Sequence, residues 1–455
     1  MRTGKALLCG VLDRTLLLAL CAALVAASAS ITIAGGNFGG GSSVGGVFVN
    51  PEGVLDSVSQ DDMEKLLKTR AEALGKAAGD LSKPTKLRVV SLKKLQQAIR
   101  DHRKARPGHA LPSAIKYLAG LTRIQYVLVY PEQKDIVLAG PAEGWKLNAV
   151  GEVVGATSGK SLLKLDDLVV ALRSTAEAGG GIQCSIDPTE EGVQRFQQFM
   201  AKQRRQRRPF GKATVAGIEK AMGDQTIRVG GVPANSHFAQ VLVASDFRMK
   251  QYAMGLADAP IKGLPSYLSL LKRPGSAMPR WWMAADYKPT STDSKGLAWE
   301  LHPGVKVLTE DEVRAGDGGV QGTGRSSAAA QKWADAMTSR FDELAAKDSI
   351  FAELQNCMDM AVVAAMLTTH KLDEKAGLDM SLLRDKNQLL ADTFVAPRKV
   401  ATRVSFVKRR GQWIISASGG VQYYPYQIIG KTKKSDSLGA VRSKVAPQGK
   451  AWWRN

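Results

Sequence analysis

The stretch 124–139 does most to limit the fold. Ile124-Gln-Tyr-Val-Leu-Val-Tyr130 and Ile136-Val-Leu-Ala139 are strand-like, and only the polar Pro131-Glu-Gln-Lys-Asp135 separates them. A loop that short closes a hairpin but cannot carry the crossover that parallel strands need. The same arrangement recurs. Val47–Val49 and Val54-Leu55 flank an Asn50-Pro51-Glu52-Gly53 turn, and Trp145–Leu147 and Glu152–Val154 flank Gly151. Leu297–Leu301 and Val305–Leu308 are joined through His302-Pro303-Gly304, and Val404–Val407 and Trp413–Ser416 through Lys408–Gly411. Helical periodicity fills the intervals. Met63, Leu66, Leu67 and Leu74 follow a capping-box-like Ser59-Gln-Asp-Asp62, and Leu92, Leu95 and Ile99 share one face after Ser91. Asp187-Pro188-Thr189-Glu190 reads as a helix start with Asp187 as cap, and a long helix is expected over 236–254 with Phe238, Val241, Leu242 and Ala253 inside.

Alternating hairpins and helices specify an α+β chain of two or three modules in which antiparallel strands pack with helices. The expected organisation is a signal peptide (1–29), a Gly/Ser-rich tether (30–46), an α+β domain (47–180), a second α+β region (181–312), a linker or long loop (313–328), a helical hairpin plus short strands (329–429) and a basic disordered tail (430–455). The hairpin would use helices near 327–347 and 349–370, with Trp333, Met337, Phe341 and Leu344 on the inner stripe of the first. Met360–Leu367 is too short to span a bilayer and reads as a buried helix.

The leader has a basic start (Arg2, Lys5, Arg14), an apolar run from Thr15 to Ala26 and a small-x-small site at Ala27-Ser28-Ala29. It predicts an exported protein of the periplasm, cell envelope or extracellular space, where disulfides survive and ATP is scarce. The chain carries net charge +21, and removing Arg2, Lys5 and Arg14 with Asp13 leaves +19. Such a surplus draws a protein toward polyanions, and salt weakens the pull. Cys9 and Cys21 leave with the leader, so Cys184 and Cys357 either pair with each other or stay buried as thiols.

Familiar catalytic templates fail. Gly155-Ala-Thr-Ser-Gly159-Lys160-Ser161 is one residue short of a nucleotide-binding loop and reads as a polar turn. Ser-x-x-Lys occurs at Ser91, Ser161 and Ser269, yet the partner motifs of that enzyme class are missing. The histidines at 102, 109, 237, 302 and 370 are scattered without zinc-ligand spacing. No metal and no cofactor is expected.

Two clusters remain as candidates. Lys202, Arg204, Arg205, Arg207, Arg208 and Lys212 occur with no acid between them, a density suited to sulfate, phosphate or carboxylate groups. Trp281, Trp282, Tyr287 and Trp299 lie close in sequence to Asp286 and Glu300, so flat rings beside carboxylates could form a sugar face, and two carboxylates at suitable separation could hydrolyse a glycosidic bond. Packing of a small sheet accounts for the same aromatics. Glu353, Asn356 and Asp359 interrupt an apolar helix as a stripe expected to face solvent or cap a neighbour.

Several strings carry a family resemblance. They are Tyr126–Pro131, Asp135–Trp145, Cys184-Ser-Ile-Asp-Pro-Thr189, Arg248-Met-Lys250, Gly263–Tyr267, Met278-Pro-Arg-Trp-Trp282 and Trp413-Ile-Ile-Ser-Ala-Ser-Gly-Gly420. Together they resemble the planctomycete exported-protein family called domain of unknown function fifteen ninety-eight, over roughly residues 47 to 422. The resemblance implies export and supplies no activity or catalytic residues. The expected function is therefore a binding or structural component of the bacterial cell envelope that contacts anionic polysaccharide or another polyanion. A carbohydrate-active hydrolase and an extracellular nucleic-acid binder are the competing expectations.

Overall fold

The computed structural model describes residues 43–175, 181–207, 211–271, 278–314, 320–322, 324–407, 412–414, 418–447 and 449–455. The expected leader, the tether up to residue 42 and Arg208 lie outside them. Strands β1 (Ser43–Val44), β2 (Val47–Val49) and β3 (Val54–Ser57) come first among the described residues; β4 (Thr85–Ser91) follows the helix Gln60–Ala73, and β5 (Tyr126–Tyr130) and β6 (Asp135–Ala142) follow the helix Leu92–Ala105. Next come β7 (Trp145–Leu147), β8 (Val153–Gly155), β9 (Ile182–Asp187) and β10 (Asp224–Gly230). Then come β11 (Met278–Ala285), β12 (Lys288–Thr292), β13 (Ala298–His302), β14 (Val305–Arg314) and β15 (Val320–Gly322), of which β12–β13 and β14–β15 are hairpins and β11 pairs with β14. The last are β16 (Lys399–Ala401), β17 (Ser405–Val407), β18 (Gln412–Ile414), β19 (Ser418–Tyr423), β20 (Thr432–Lys434) and β21 (Trp453–Arg454).

The fold is α+β. A ten-stranded sheet has the order β1-β2-β3-β16-β10-β9-β19-β11-β14-β15, and a seven-stranded sheet has the order β20-β12-β13-β5-β6-β4-β21. Pairing is antiparallel except where β16 meets β3, β11 meets β19 and β12 meets β20. Four of the five hairpins read from the sequence are present: Val49 pairs with Leu55, Tyr130 with Asp135, Trp145 with Gly155 and Phe406 with Trp413. The fifth is not, because the chain changes sheets at His302-Pro303-Gly304: β13 pairs with β12 and β5 in the seven-stranded sheet, and β14 with β11 and β15 in the ten-stranded one. The boundaries expected near 180 and 312 do not separate cores, because each sheet collects strands from both sides of them. Long-range pairing, invisible to local composition, joins the expected modules into one core.

The helix Ser349–Thr369 lies at the centre of that core. It packs on helices Leu165–Ser174, His237–Met254, Phe341–Lys347 and Pro425–Ile429. It is long and apolar enough to cross a bilayer, yet its apolar window is wholly buried inside the protein. The expected helical hairpin is reduced. Ala328–Ser339 packs on β14 instead, and it is the short Phe341–Lys347 that turns against Ser349–Thr369.

Two further expectations are corrected. Thr189, not Asp187, caps the helix Glu190–Arg205 by accepting from the Gly192 amide, while Asp187 ends β9. Residues 430–455 are not a disordered tail: β20 adds to β12, Ser437–Lys444 is helical and β21 adds to β4. Backbone pairing and one buried guanidinium hold this segment. Arg88, fully buried, donates to Asn455 Oδ1 (2.7 Å) and to the carbonyls of Asp80 (2.8 Å), Lys83 (3.0 Å) and Ala119 (2.6 Å), and it lies over the Trp453 ring. Desolvation pulls its pKa down to about 10.

Candidate functional site

The helix His237–Met254 packs on one face of the ten-stranded sheet. Ile182, Cys184, Ile186, Trp281, Met283 and Val421 are buried. Their immediate neighbours Gln183, Ser185, Trp282 and Gln422 are half-buried or exposed, because successive residues of a strand point to opposite faces. The side bearing these neighbours holds a cleft of about 500 Å³ lined by β9, β10, β11, β14 and β19.

Strand register orders its lining. Arg228 of β10 lies opposite Ser185 of β9, Ser185 opposite Gly420 of β19, Gly420 beside Trp282 of β11, and Trp282 opposite Leu308 of β14. One transverse row therefore carries a cation, a hydroxyl, a gap, an aromatic ring and an exposed aliphatic side chain. The gap is obligatory. A Cβ on Gly420 would lie 1.8 Å from the Cys184 carbonyl oxygen, and one on Gly419 (φ +128°) 1.6 Å from that of Trp281. Lys250 supports this floor from behind, donating to the carbonyls of Ile186 (3.0 Å) and Gly419 (3.3 Å) and to Asp246 Oδ2 (2.9 Å).

Charge in the cleft is balanced. Arg228 faces Asp187 at 3.7 Å; Arg280, whose guanidinium lies 5.9 Å from the Trp282 ring centroid, sits directly across the strand pair from Glu310, which places a carboxylate-bearing residue next to each arginine. Gln183 and Gln422 complete the polar lining, and Gln422 Nε2 donates to Tyr424 Oη at 2.6 Å. A half-buried tryptophan beside paired arginines and amides suits a flat, hydroxyl-rich ring better than an isolated anion.

The structure disperses the tryptophan cluster read from the sequence. Trp282 alone of that group lines the cleft. Trp281 is in the core, 5.0 Å from the Tyr267 ring and 4.9 Å from that of Trp333. Trp299 belongs to the other sheet and stacks on His370 at 4.2 Å. Tyr287 donates to the Asp359 carboxylate, Asp286 is exposed and paired with Lys306 (3.2 Å), and Glu300 on β13 accepts from Gln125 (3.4 Å). These residues do not form one sugar-binding face.

Lys202, Arg204, Arg205, Arg207 and Lys212 are exposed where the helix Glu190–Arg205 ends and Lys212–Met222 begins, and none makes an ion pair among the described residues. This helix pair stands on its own small core of Val193, Phe196, Phe199, Val215, Ile218 and Met222. Cys184 and Cys357 are free thiols and buried, the second of the two arrangements expected, and burial pushes both pKa values well up.

The loop that resembles a nucleotide-binding turn does hold an anion, but the anion is internal. Glu143, almost fully buried, accepts from the amides of Thr157 (2.6 Å) and Ser158 (3.0 Å) and from the Ser158 hydroxyl. A Cβ at Gly155 would meet its carboxylate at 2.2 Å. A carboxylate thus occupies the place a phosphate would need.

The stripe Glu353, Asn356, Asp359 is also inside rather than at the surface. Arg123 donates to both oxygens of Asp359 (2.6 and 3.1 Å) and to Gln355 (2.9 Å). Glu353 joins a second network with Lys164, His237 and Ser161. These partners are far apart in sequence, and no local signal announces them. No group of three or more His, Cys, Asp or Glu arranged to hold a metal occurs among the described residues.

Three strings that carry the family resemblance, 184–189, 278–282 and 413–420, lie on or lead into the neighbouring strands β9, β11 and β19 of the cleft. Residues 184–267 match the family model described as "Protein of unknown function (DUF1598)". The DUF1598 segment supplies Cys184, Ser185, Arg228, Val229 and Gly230 of the lining, so the match and the cleft coincide on β9 and β10. No curated protein and no solved structure matches the chain.

Proposed function

We propose that this protein is an exported glycan-binding component of the bacterial cell envelope. It would seat a sugar ring across Gly420 between Trp282 and Arg228, and its basic helix pair would add attraction to a negatively charged chain. The row Arg228–Ser185–Gly420–Trp282–Leu308 carries this reading. Aromatic faces stack on pyranose rings, and guanidinium, hydroxyl and amide groups satisfy ring hydroxyls or carboxylates. Positions 202–212 are suited to longer-range attraction, which salt screens.

Binding is favoured over hydrolysis by a distance. The carboxylates beside the cleft arginines, Asp187 and Glu310, belong to β9 and β14, with β19 and β11 between them. Three strand spacings amount to about 14 Å, beyond the roughly 5 to 9.5 Å over which paired carboxylates cleave a glycosidic bond.

The test is a glycan array with the mature chain, followed by calorimetric titration of the best ligand and a reducing-sugar assay. Binding that falls at least about tenfold in Trp282→Ala, with no sugar released, is the expected outcome. Undiminished binding by Trp282→Ala would remove the cleft from the proposal, and release of reducing ends would replace a binder with a hydrolase.

A further inference from the structure

A closed network of charges lies away from the cleft, where the N-terminal hairpin meets three helices. His237, the first residue of its helix, places Nδ1 2.9 Å from Asp167 Oδ2, in the first turn of Leu165–Ser174. Its Nε2 lies 2.8 Å from Lys164 Nζ and 3.6 Å from Glu353 Oε2. Lys164 donates to Glu353 Oε1 (3.1 Å), which also accepts from Ser161 (3.1 Å), and stands 3.7 Å from Glu152 Oε2. Glu152 in turn accepts from the Gly45 amide at 3.0 Å, while Arg70 lies 3.6 Å from Glu152 and donates to the carbonyls of Ser43 and Gly151. His237, Asp167, Glu353 and Glu152 are all buried. Asp166 and the ring of Phe394 also lie near His237, and the Tyr117 hydroxyl and the Cys357 thiol, both held neutral by burial, border the charges of Lys164 and Glu353.

Donor and acceptor rules fix the state shown. An ammonium can only donate, so Nε2 accepts from Lys164, and the neutral ring carries its hydrogen on Nδ1 toward Asp167. Lys164 and Arg70 then face the carboxylates of Glu152, Glu353 and Asp167, leaving one buried negative charge uncompensated. Glu353 Oε2 has no hydrogen-bond partner. Burial also raises the pKa of Glu353, so the cluster has two places for a proton; one on Nε2 relieves both defects together. It cancels the surplus charge, repels the Lys164 ammonium and presents a donor to the vacant oxygen of Glu353.

We propose that His237 is a proton switch at the root of the N-terminal hairpin: protonation moves its Nε2 from Lys164 to Glu353, shifts Lys164 toward Glu152 and tightens the strand that Glu152 holds. Burial alone would pull the ring down, but Asp167, with help from Glu353, outweighs it and raises the pKa above the ordinary histidine value. A raised folded-state pKa stabilises fully below the unfolded value, and that stabilisation is lost as pH climbs through the folded value. The hairpin at Ser43–Val49 is therefore held most firmly on the acid side.

The experiment follows the His237 ring proton by NMR and amide exchange at residues 43–49 from about pH 5 to about pH 9, in the full chain and in His237→Asn and Glu353→Gln. Expected are a wild-type midpoint above the ordinary histidine value of 6.5, protection at 43–49, corrected for the intrinsic pH dependence of exchange, higher on the order of fivefold below it, and no such step in His237→Asn. Glu353→Gln removes a negative charge and should lower the midpoint. A wild-type midpoint at or below 6.5, or the same exchange step in His237→Asn, overturns the proposal. Should His237→Asn not fold, an unshifted midpoint in Glu353→Gln does so instead.

Discussion

Trp281 and Trp282 are consecutive on β11 and face opposite sides of the sheet, the first sealed between Tyr267 and Trp333 and the second open to the cleft under Arg280. Their substitutions should therefore separate folding from binding. Trp281→Ala is expected to cost about 3 to 5 kcal/mol in chemical denaturation, as for large aromatic truncations in a core. Trp282→Ala should cost under about 1.5 kcal/mol while abolishing most glycan binding. Equal destabilisation by both would contradict the division of faces.

Glu143 should behave as a ligand of its own loop. Glu143→Ala strips two amides and a hydroxyl of their acceptor, a loss of about 1 to 3 kcal/mol. Added sulfate should restore part of that stability in the variant and have a smaller effect on the wild type. Thermal melts with and without sulfate, at matched ionic strength, measure this directly.

Asp246 gives the fold a second, acid-side pH dependence. Burial, only partly opposed by Lys250, raises its pKa to about 6, and its Oδ1 has no partner. The folded chain thus takes up a proton more readily than the unfolded one, which stabilises at low pH and fades as pH rises through about 6. Relative to Asp246→Asn, the wild type should lose on the order of 3 kcal/mol between pH 4 and pH 7, read from paired denaturation curves. A constant difference across that range would refute the assignment.

The basic helix pair should act through charge alone. Reversing Lys202, Arg204, Arg205 and Arg207 to Glu is expected to leave the melting temperature within about 2 °C, since these side chains are exposed. Retention on heparin should fall sharply, and its dependence on salt should flatten. Unchanged retention would place polyanion contact elsewhere on the molecule.

Local features of the fold were legible in the sequence. The turn at Asn50–Gly53, the tight loop after Tyr130 and the helix cap at Ser59 each depend on a few adjacent residues, and each is present. What was not legible depends on distance along the chain. Lys164 meets Glu353 across 189 residues and Arg123 meets Asp359 across 236, so the polar stripe read as surface is an internal fastening. Trp281 and Trp282 read from the sequence as a sugar face or as packing of a small sheet, and being consecutive on a strand they must face opposite sides. Which ring faces outward depends on the strands beside β11. The basic composition of 430–455 suggested disorder, whereas β20 and β21 are held by backbone bonds to which side-chain charge is indifferent.

The neighbours of β9 and β10 have a practical implication for anyone dissecting the molecule. Those two strands adjoin each other, but their outer edges are closed by β19 and β16, which the ribosome delivers more than a hundred residues later. An excised piece cut to 184–267 would expose both ladders to whatever chain came near, a recipe for aggregation rather than for a minimal domain. The cleft is accordingly a property of the finished polypeptide, assembled late in folding and lost early on truncation.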